Sequence, residues 1–395
     1  MALLAFLVLI GYIICNKTNL KHRKGIYLGI VFLILASLSA IRYEVGFDYS
    51  FTYVPGWRQV LDTPFSEFNK LYHEKGYVLL EYLISLVTEN FQAIFISTSI
   101  ILVALPIILI CKYAADKIWG VFLYYSIGLY YCSMNFIRQS IAAFIFAFAV
   151  VFAKKKKIIP YMLLVILAST FHKSALLMIP FYFILQIRIT KLVLVLYSAV
   201  TIGILFTSNI IVDFVIQHFY QGYKNESIYI IYGVKWYYIV VPVILFVIMF
   251  VFQDRLCKDD KSNQIYVSCS FFNMFFYLVA LNHVIVDRFT LYFEPTLVIG
   301  LTYLITQLRS DRNQENLIEK FKARFNKRYI IITSVIVVCV LTTNIISLID
   351  DGHAVIPYQT IFESDDYRQY YYSINKDNEI ITEQPEEVDL SDILI

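Results

Sequence analysis

Four consecutive lysines, Lys154 to Lys157, divide two apolar runs, 136–153 and 158–171. Clustered lysines hold a membrane connection on the cytoplasmic side. Both far ends of this hairpin must then face the other side, and there lie Arg138 and His172. Placing an arginine and a histidine at the non-cytoplasmic edge of apolar helices is costly to build for structure alone.

A chain of 395 residues that is 59 % hydrophobic and only 16 % charged could not hide its apolar surface in a soluble core. The sequence therefore predicts an all-α, polytopic integral membrane protein. Twelve candidate spans can be drawn: 1–15, 26–41, 93–111, 118–134, 136–153, 158–171, 174–187, 192–208, 236–252, 265–283, 289–308 and 329–349. The first has no basic segment before it and no small-residue cleavage site after it, so it reads as a retained span. The connections after odd-numbered spans hold about two thirds of the 33 Lys and Arg in roughly a seventh of the length. They are predicted to be cytoplasmic, with both termini outside. Counting 77–87 as a further crossing would invert every later loop, so it is expected to lie on the outer face. Thr63-Pro64 suggests an N-cap, and Leu61, Phe65, Phe68 and Tyr72 suggest an amphipathic interfacial helix. The domain division is then 1–349 for the transmembrane domain, with external loops 42–92 and 209–235. An extracytoplasmic tail, 350–395, carries 12 acidic residues. Segment 309–328 is basic and reads as an anchor on anionic lipid.

The six cysteines form no C-x-x-C pair and read as small core residues, neither disulfide framework nor zinc site. No metal, cofactor or nucleic-acid partner is expected. Walker A, Rossmann and D-x-D patterns are missing from the sequence.

Helical rise puts Arg138 about 24 Å from Lys154, and His172 about 22 Å from Lys157 and 24 Å from Arg188, a little below the outer surface. Arg42 and Arg288 come out nearer that surface. Four external clusters result: Arg42 to Tyr49; Glu74-Lys75-Gly76-Tyr77; Asn135-x-x-Arg138-Gln139 with Phe171-His172-x-Ser174; and Asp287-Arg288. Each has a plain structural reading, such as snorkelling arginines or a helix-capping glutamate. Their convergence on one face favours function. Three guanidinium groups opening to one water-filled funnel suit an anion of high charge density. Asp48 and His172 are the proton acceptors at hand.

The ordered string Arg42-x-x-x-Gly46-x-Asp48-Tyr49, Glu74-x-Gly76-Tyr77, Asn135-x-x-Arg138-Gln139, Phe171-His172-x-Ser174-Ala175 and Arg288 resembles the EpsG family of Wzy-type polysaccharide polymerases. It departs at Phe47, where the family commonly has a small polar residue. The resemblance implies a GT-C-like membrane glycosyltransferase of the bacterial inner membrane. Such an enzyme moves a growing O-antigen, capsule or exopolysaccharide chain from undecaprenyl pyrophosphate to the non-reducing end of a lipid-linked repeat unit. Implied partners are that lipid-linked oligosaccharide as donor and acceptor, the bilayer, and a flippase and chain-length regulator of the same pathway. On this reading Arg42, Arg138 and Arg288 grip the pyrophosphate. Asp48, with His172 as second choice, is the base. Glu74, Asn135, Gln139 and Tyr49 complete the substrate-binding set, the first three orienting sugar hydroxyls or the arginines. A flippase would place its charges near mid-membrane, and an O-acyltransferase would draw acyl-CoA from the cytoplasmic side. Both remain alternatives.

Overall fold

A computed structural model describes residues 2–16, 21–219, 233–310, 327–350, 353–356 and 358–362. Among the described residues the chain is helical, relieved by one isolated antiparallel bridge between Arg42 and Thr360. An apolar backbone in lipid has to satisfy its own hydrogen bonds, and helices do so within one segment. Among the described residues six helices are long and apolar enough to cross a membrane: Arg23–Ala40, Gln92–Tyr113, Ile137–Lys154, Lys191–Val212, Val284–Arg309 and Tyr329–Asp350. Ala2–Cys15, Ile158–Phe171 and Trp236–Val251 are apolar but shorter. The protein is thus a polytopic, all-helical membrane protein.

Several of the twelve expected spans are built differently. Segment 118–134 is two helices, Lys117–Ser126 and Leu129–Asn135, broken where Gly128 turns to φ +98°. The Asp116 carboxylate caps the first, accepting from Ile118 N at 2.9 Å. Segment 174–187 is no helix of full length. It consists of a 3-10 stretch, Lys173–Met178, and a single turn, Phe181–Ile184, around Pro180. The rise-per-residue distance from Arg188 to His172 therefore does not apply. Span 192–208 continues to Phe219, so part of the expected loop 209–235 is helix and 220–232 fall outside the described residues. Thr63 does not start a helix: it closes one, Val54–Asp62, in extended geometry. Pro64 bars the helical region for the residue before it, and Phe65–Lys70 follows as a 3-10 turn with no buried residue. The apolar piece near 77–87 is an 11-residue helix, Lys75–Ser85, about 16 Å long and too short to cross. Most of 309–328 and of the acidic tail lies outside the described residues. Of the cysteines, Cys132, Cys269 and Cys339 are buried, but Cys111 is exposed.

The connections gather at two opposite poles. At one, Lys154 donates to Asn263 Oδ1 at 2.6 Å and pairs with Asp260 at 3.1 Å, while Arg188 pairs with Asp254 at 2.6 Å. Ala115 N donates to Thr302 Oγ1 there, and Gln307 meets Asp259. At the other pole Glu74 meets Arg138 and Lys173, Gln139 meets Arg288, and Asp350 meets Lys235, Tyr237 and Tyr238. The grouping is the one the alternation of loops predicts.

Between the poles runs Ile137–Lys154, with 13 of its 18 residues buried. Its alanines, among them Ala142, Ala143 and Ala149, let neighbouring helices approach closely. Ile158–Phe171, Thr290–Ser310 and Gln92–Tyr113 pack around it. The helix with Arg138 in its first turn is thus the axis of the molecule.

Candidate active site

At the pole opposite the lysine turn lies a cavity of about 700 Å³. Asp48, Arg138, Gln139, His172 and Arg288 line it, brought from four separate stretches of chain. Five of the nine sequence-predicted residues therefore share one chamber.

Asp48 stands just before a π-helical turn, Tyr49–Tyr53. The approach is a tight bend. Gly46 sits at φ +100°, which favours glycine, and a Cβ there would make a tight 3.1 Å contact with Asn135 Cα. Asn135 Oδ1 accepts from Asp48 N at 3.0 Å, and Asp48 Oδ1 accepts from Thr52 Oγ1 at 3.3 Å. Gly46 N donates to Ala354 O at 2.8 Å, and Tyr43 N donates to Gln359 O at 3.0 Å. The segment after the last helix thus latches the Asp48 loop. Burial raises the Asp48 pKa above the ordinary carboxylate range, with the Arg288 and Arg138 charges opposing.

Arg138 opens the axial helix and donates to Glu74 Oε2 at 2.7 Å, with both side chains mostly buried. Glu74 also accepts from Lys173 N at 3.2 Å. Burial alone would raise the Glu74 pKa, but Arg138 above all turns the net shift downward, so Glu74 stays ionised. Arg288 stacks on Phe136, its guanidinium carbon 4.6 Å from the ring centre. Its carbonyl accepts from Gln139 Nε2 at 2.7 Å. His172 Nδ1 is 2.6 Å from Ser174 Oγ, which is 2.7 Å from Tyr292 OH. Burial pushes the His172 pKa down to about 4, so the ring is neutral near pH 7.

Of the four that do not line the chamber, Glu74 and Asn135 bond Arg138 and Asp48, and Arg42 and Tyr49 have other partners. The Arg42 side chain is wholly buried behind the chamber. It donates to Ser39 O at 2.6 Å, Ser39 Oγ at 2.7 Å and Ser99 Oγ at 2.9 Å, and stands over Phe95. Tyr49 is buried too, donating to Gln92 Oε1 at 3.2 Å and stacked on Phe95 with ring centres 4.0 Å apart. Both anchor the Asp48 loop and do not line the cavity. Replacing Arg42 with alanine should lower folding stability by about 3 kcal/mol or more, since each charge-assisted bond contributes about 1.5–3 kcal/mol. Thermal unfolding in detergent reads this directly. Unchanged melting with lost activity would instead put Arg42 on a ligand.

The chamber also contains residues that the sequence reading passed over, His73 and Tyr53 in particular. The readable sign was Glu81, a lone carboxylate in an apolar helix, which bonds His73. Phe47, the departure from the expected motif, is half exposed on the cavity wall.

A second cavity, of about 360 Å³, adjoins the first and is almost wholly apolar. Phe181, Ile204, Phe275, Phe276 and Phe289 form much of it, and it shares His172, Gln139 and Arg288 with the charged chamber.

Among known families, residues 25–360 match the model described as the EpsG family. No curated protein and no solved structure matches the chain.

Proposed function

We propose, from the premise that this chain belongs to the EpsG family, that it is a Wzy-type polysaccharide polymerase acting on lipid-linked repeat units. The observation that carries this reading is the junction of two unlike cavities at His172, Gln139 and Arg288. An amphiphile with a multiply charged anionic head and a long apolar tail suits both together. A polyprenyl pyrophosphate bearing a glycan has that form.

On this reading Arg138 and Arg288 hold the pyrophosphate, since guanidinium binds phosphate oxygens through paired, charge-assisted donors. Glu74 fixes Arg138, and Gln139 fixes the backbone of Arg288. Asp48 takes the proton from a hydroxyl of the acceptor sugar. The hydroxyl oxygen bonds to the anomeric carbon of the donor as the bond from that carbon to the pyrophosphate breaks. The electron pair leaves with the lipid pyrophosphate, whose growing charge the two arginines stabilise. Asn135 holds Asp48 through its backbone, and His172 is the second candidate base.

Twelve crossings in a GT-C-like arrangement, with Lys154–Lys157 in the cytoplasm and the chamber outside, complete the proposal. They match delivery of repeat units already turned to the outer face of the inner membrane. The test is reconstitution in lipid vesicles with purified lipid-linked repeat units. A ladder of longer glycans and free polyprenyl pyrophosphate is the expected product. Movement of the substrate across the bilayer with no new glycosidic bond would replace this reading with a transporter.

A further inference from the structure

One part of the charged chamber's wall, not shared with the apolar cavity, has its own character. Phe51, Pro55, Gly56, Gln59, Tyr72 and His73 line it, and the apolar cavity shares none of them. Phe51, Gln59 and Tyr72 are exposed, whereas the His73 side chain is 2 % exposed.

His73 is fixed from several sides. Its Nδ1 lies 3.1 Å from Glu81 Oε2 and 3.2 Å from Glu81 Oε1, and the Glu81 side chain is fully buried. Tyr72, Tyr77 and Tyr53 surround the ring, with centres 5.7, 5.2 and 6.1 Å away. Room for the ring exists only because residue 56 is glycine: a Cβ there would lie 2.1 Å from His73 Cε1. The second ring nitrogen, Nε2, is buried and has no hydrogen-bond partner. A buried polar atom left unpaired costs about 1–3 kcal/mol. It persists where something supplies the bond.

We infer that His73, held by Glu81, forms with Gln59 and Phe51 a subsite for a sugar ring of the acceptor, Nε2 bonding one of its hydroxyls. A hydroxyl both donates and accepts, so it satisfies Nε2 whichever nitrogen carries the proton. Phe51 gives an exposed ring face for stacking, and Gln59 gives an amide that can donate and accept. The inference deepens the polymerase reading and rests on it. Donor pyrophosphate occupies the part between Arg288 and Arg138, and acceptor sugar the part past Arg138, whose guanidinium carbon stands 5.6 Å from the Tyr72 ring centre.

Two probes separate the two parts in the purified, full-length protein in detergent. One is farnesyl pyrophosphate. The other is the lipid-free repeat-unit oligosaccharide released from the source strain's own polysaccharide. H73A should weaken oligosaccharide binding at least tenfold and leave farnesyl pyrophosphate binding within twofold. F51A and Q59A, at exposed positions where folding is not at stake, should weaken the oligosaccharide about threefold or more with the same selectivity. Oligosaccharide binding unchanged in all three variants overturns the subsite. So does an equal loss of both probes, which marks His73 as packing alone. Wild-type protein that binds farnesyl pyrophosphate but not the oligosaccharide overturns the subsite and leaves the polymerase reading standing. Protein that binds neither removes both.

Discussion

Replacing Arg138 with alanine should cut polymer formation by about a hundredfold to a thousandfold, the usual cost of removing one donor from a preorganised charge clamp. The structure makes the effect twofold in kind. Arg138 faces the chamber and is also the cation paired with Glu74 at 2.7 Å. Without it, a mostly buried carboxylate loses its partner, and breaking a buried pair costs about 3–5 kcal/mol of stability. The two effects can be pulled apart. In the double variant E74Q/R138A the stranded charge is gone, so melting temperature should recover while polymer does not. R138K keeps a charge but loses the planar fork, and should retain a minor fraction of activity. Chain-length ladders from reconstituted vesicles, with thermal unfolding of the same samples, report both quantities. Ladders of normal length from R138A would remove the arginine from the proposed chemistry.

Asp48→Asn should lower the rate by about a hundredfold to ten-thousandfold, the range for a positioned general base. Asparagine has the same shape and can still accept from Thr52, so folding should survive. The pH dependence is the sharper test. Burial raises the Asp48 pKa, so wild-type activity should rise with pH along an acid limb centred above the ordinary value of about 3.9. The sign follows from the role: the carboxylate must be unprotonated to accept a proton, so activity fails as pH falls through its pKa. Residual activity of D48N should lack that limb. His172 offers the contrast. Its pKa of about 4 keeps it neutral near pH 7, but its Nδ1 is engaged by Ser174. If D48N keeps a third of the wild-type rate while H172Q is inactive, the proton goes to the imidazole.

Much of the architecture was legible before any coordinate. A run of four lysines and the alternation of basic loops placed Arg138, His172 and Arg288 at one pole, because charge in a membrane chain is confined to its edges. What hydropathy could not report was backbone continuity. Segment 118–134 and segment 174–187 are as apolar as true spans, yet the first breaks at Gly128 and the second winds into 3-10 turns. Thr63-Pro64 carried helix-start chemistry and stands at a helix end, since the stronger rule concerns the residue before proline. The inward turn of Arg42 was hidden for another reason. Its partners Ser39 and Ser99 come from different helices, the second 57 residues away, and a guanidinium looks the same in sequence whether it faces water or protein. Asn135 is expected to orient sugar hydroxyls or the arginines; the structure adds that its Oδ1 accepts from the backbone of Asp48.

The latch on the Asp48 loop has a consequence in time. Gly46 emerges from the ribosome early, but its partner Ala354 follows about three hundred residues later, which at about 5–20 residues per second is a wait of about 15 to 60 seconds. During that interval the Asp48 loop has its holds from Arg42, Tyr49 and Asn135 but not yet this one. The proposed chemistry is therefore expected only once residue 354 has been made and its segment has folded back onto Gly46.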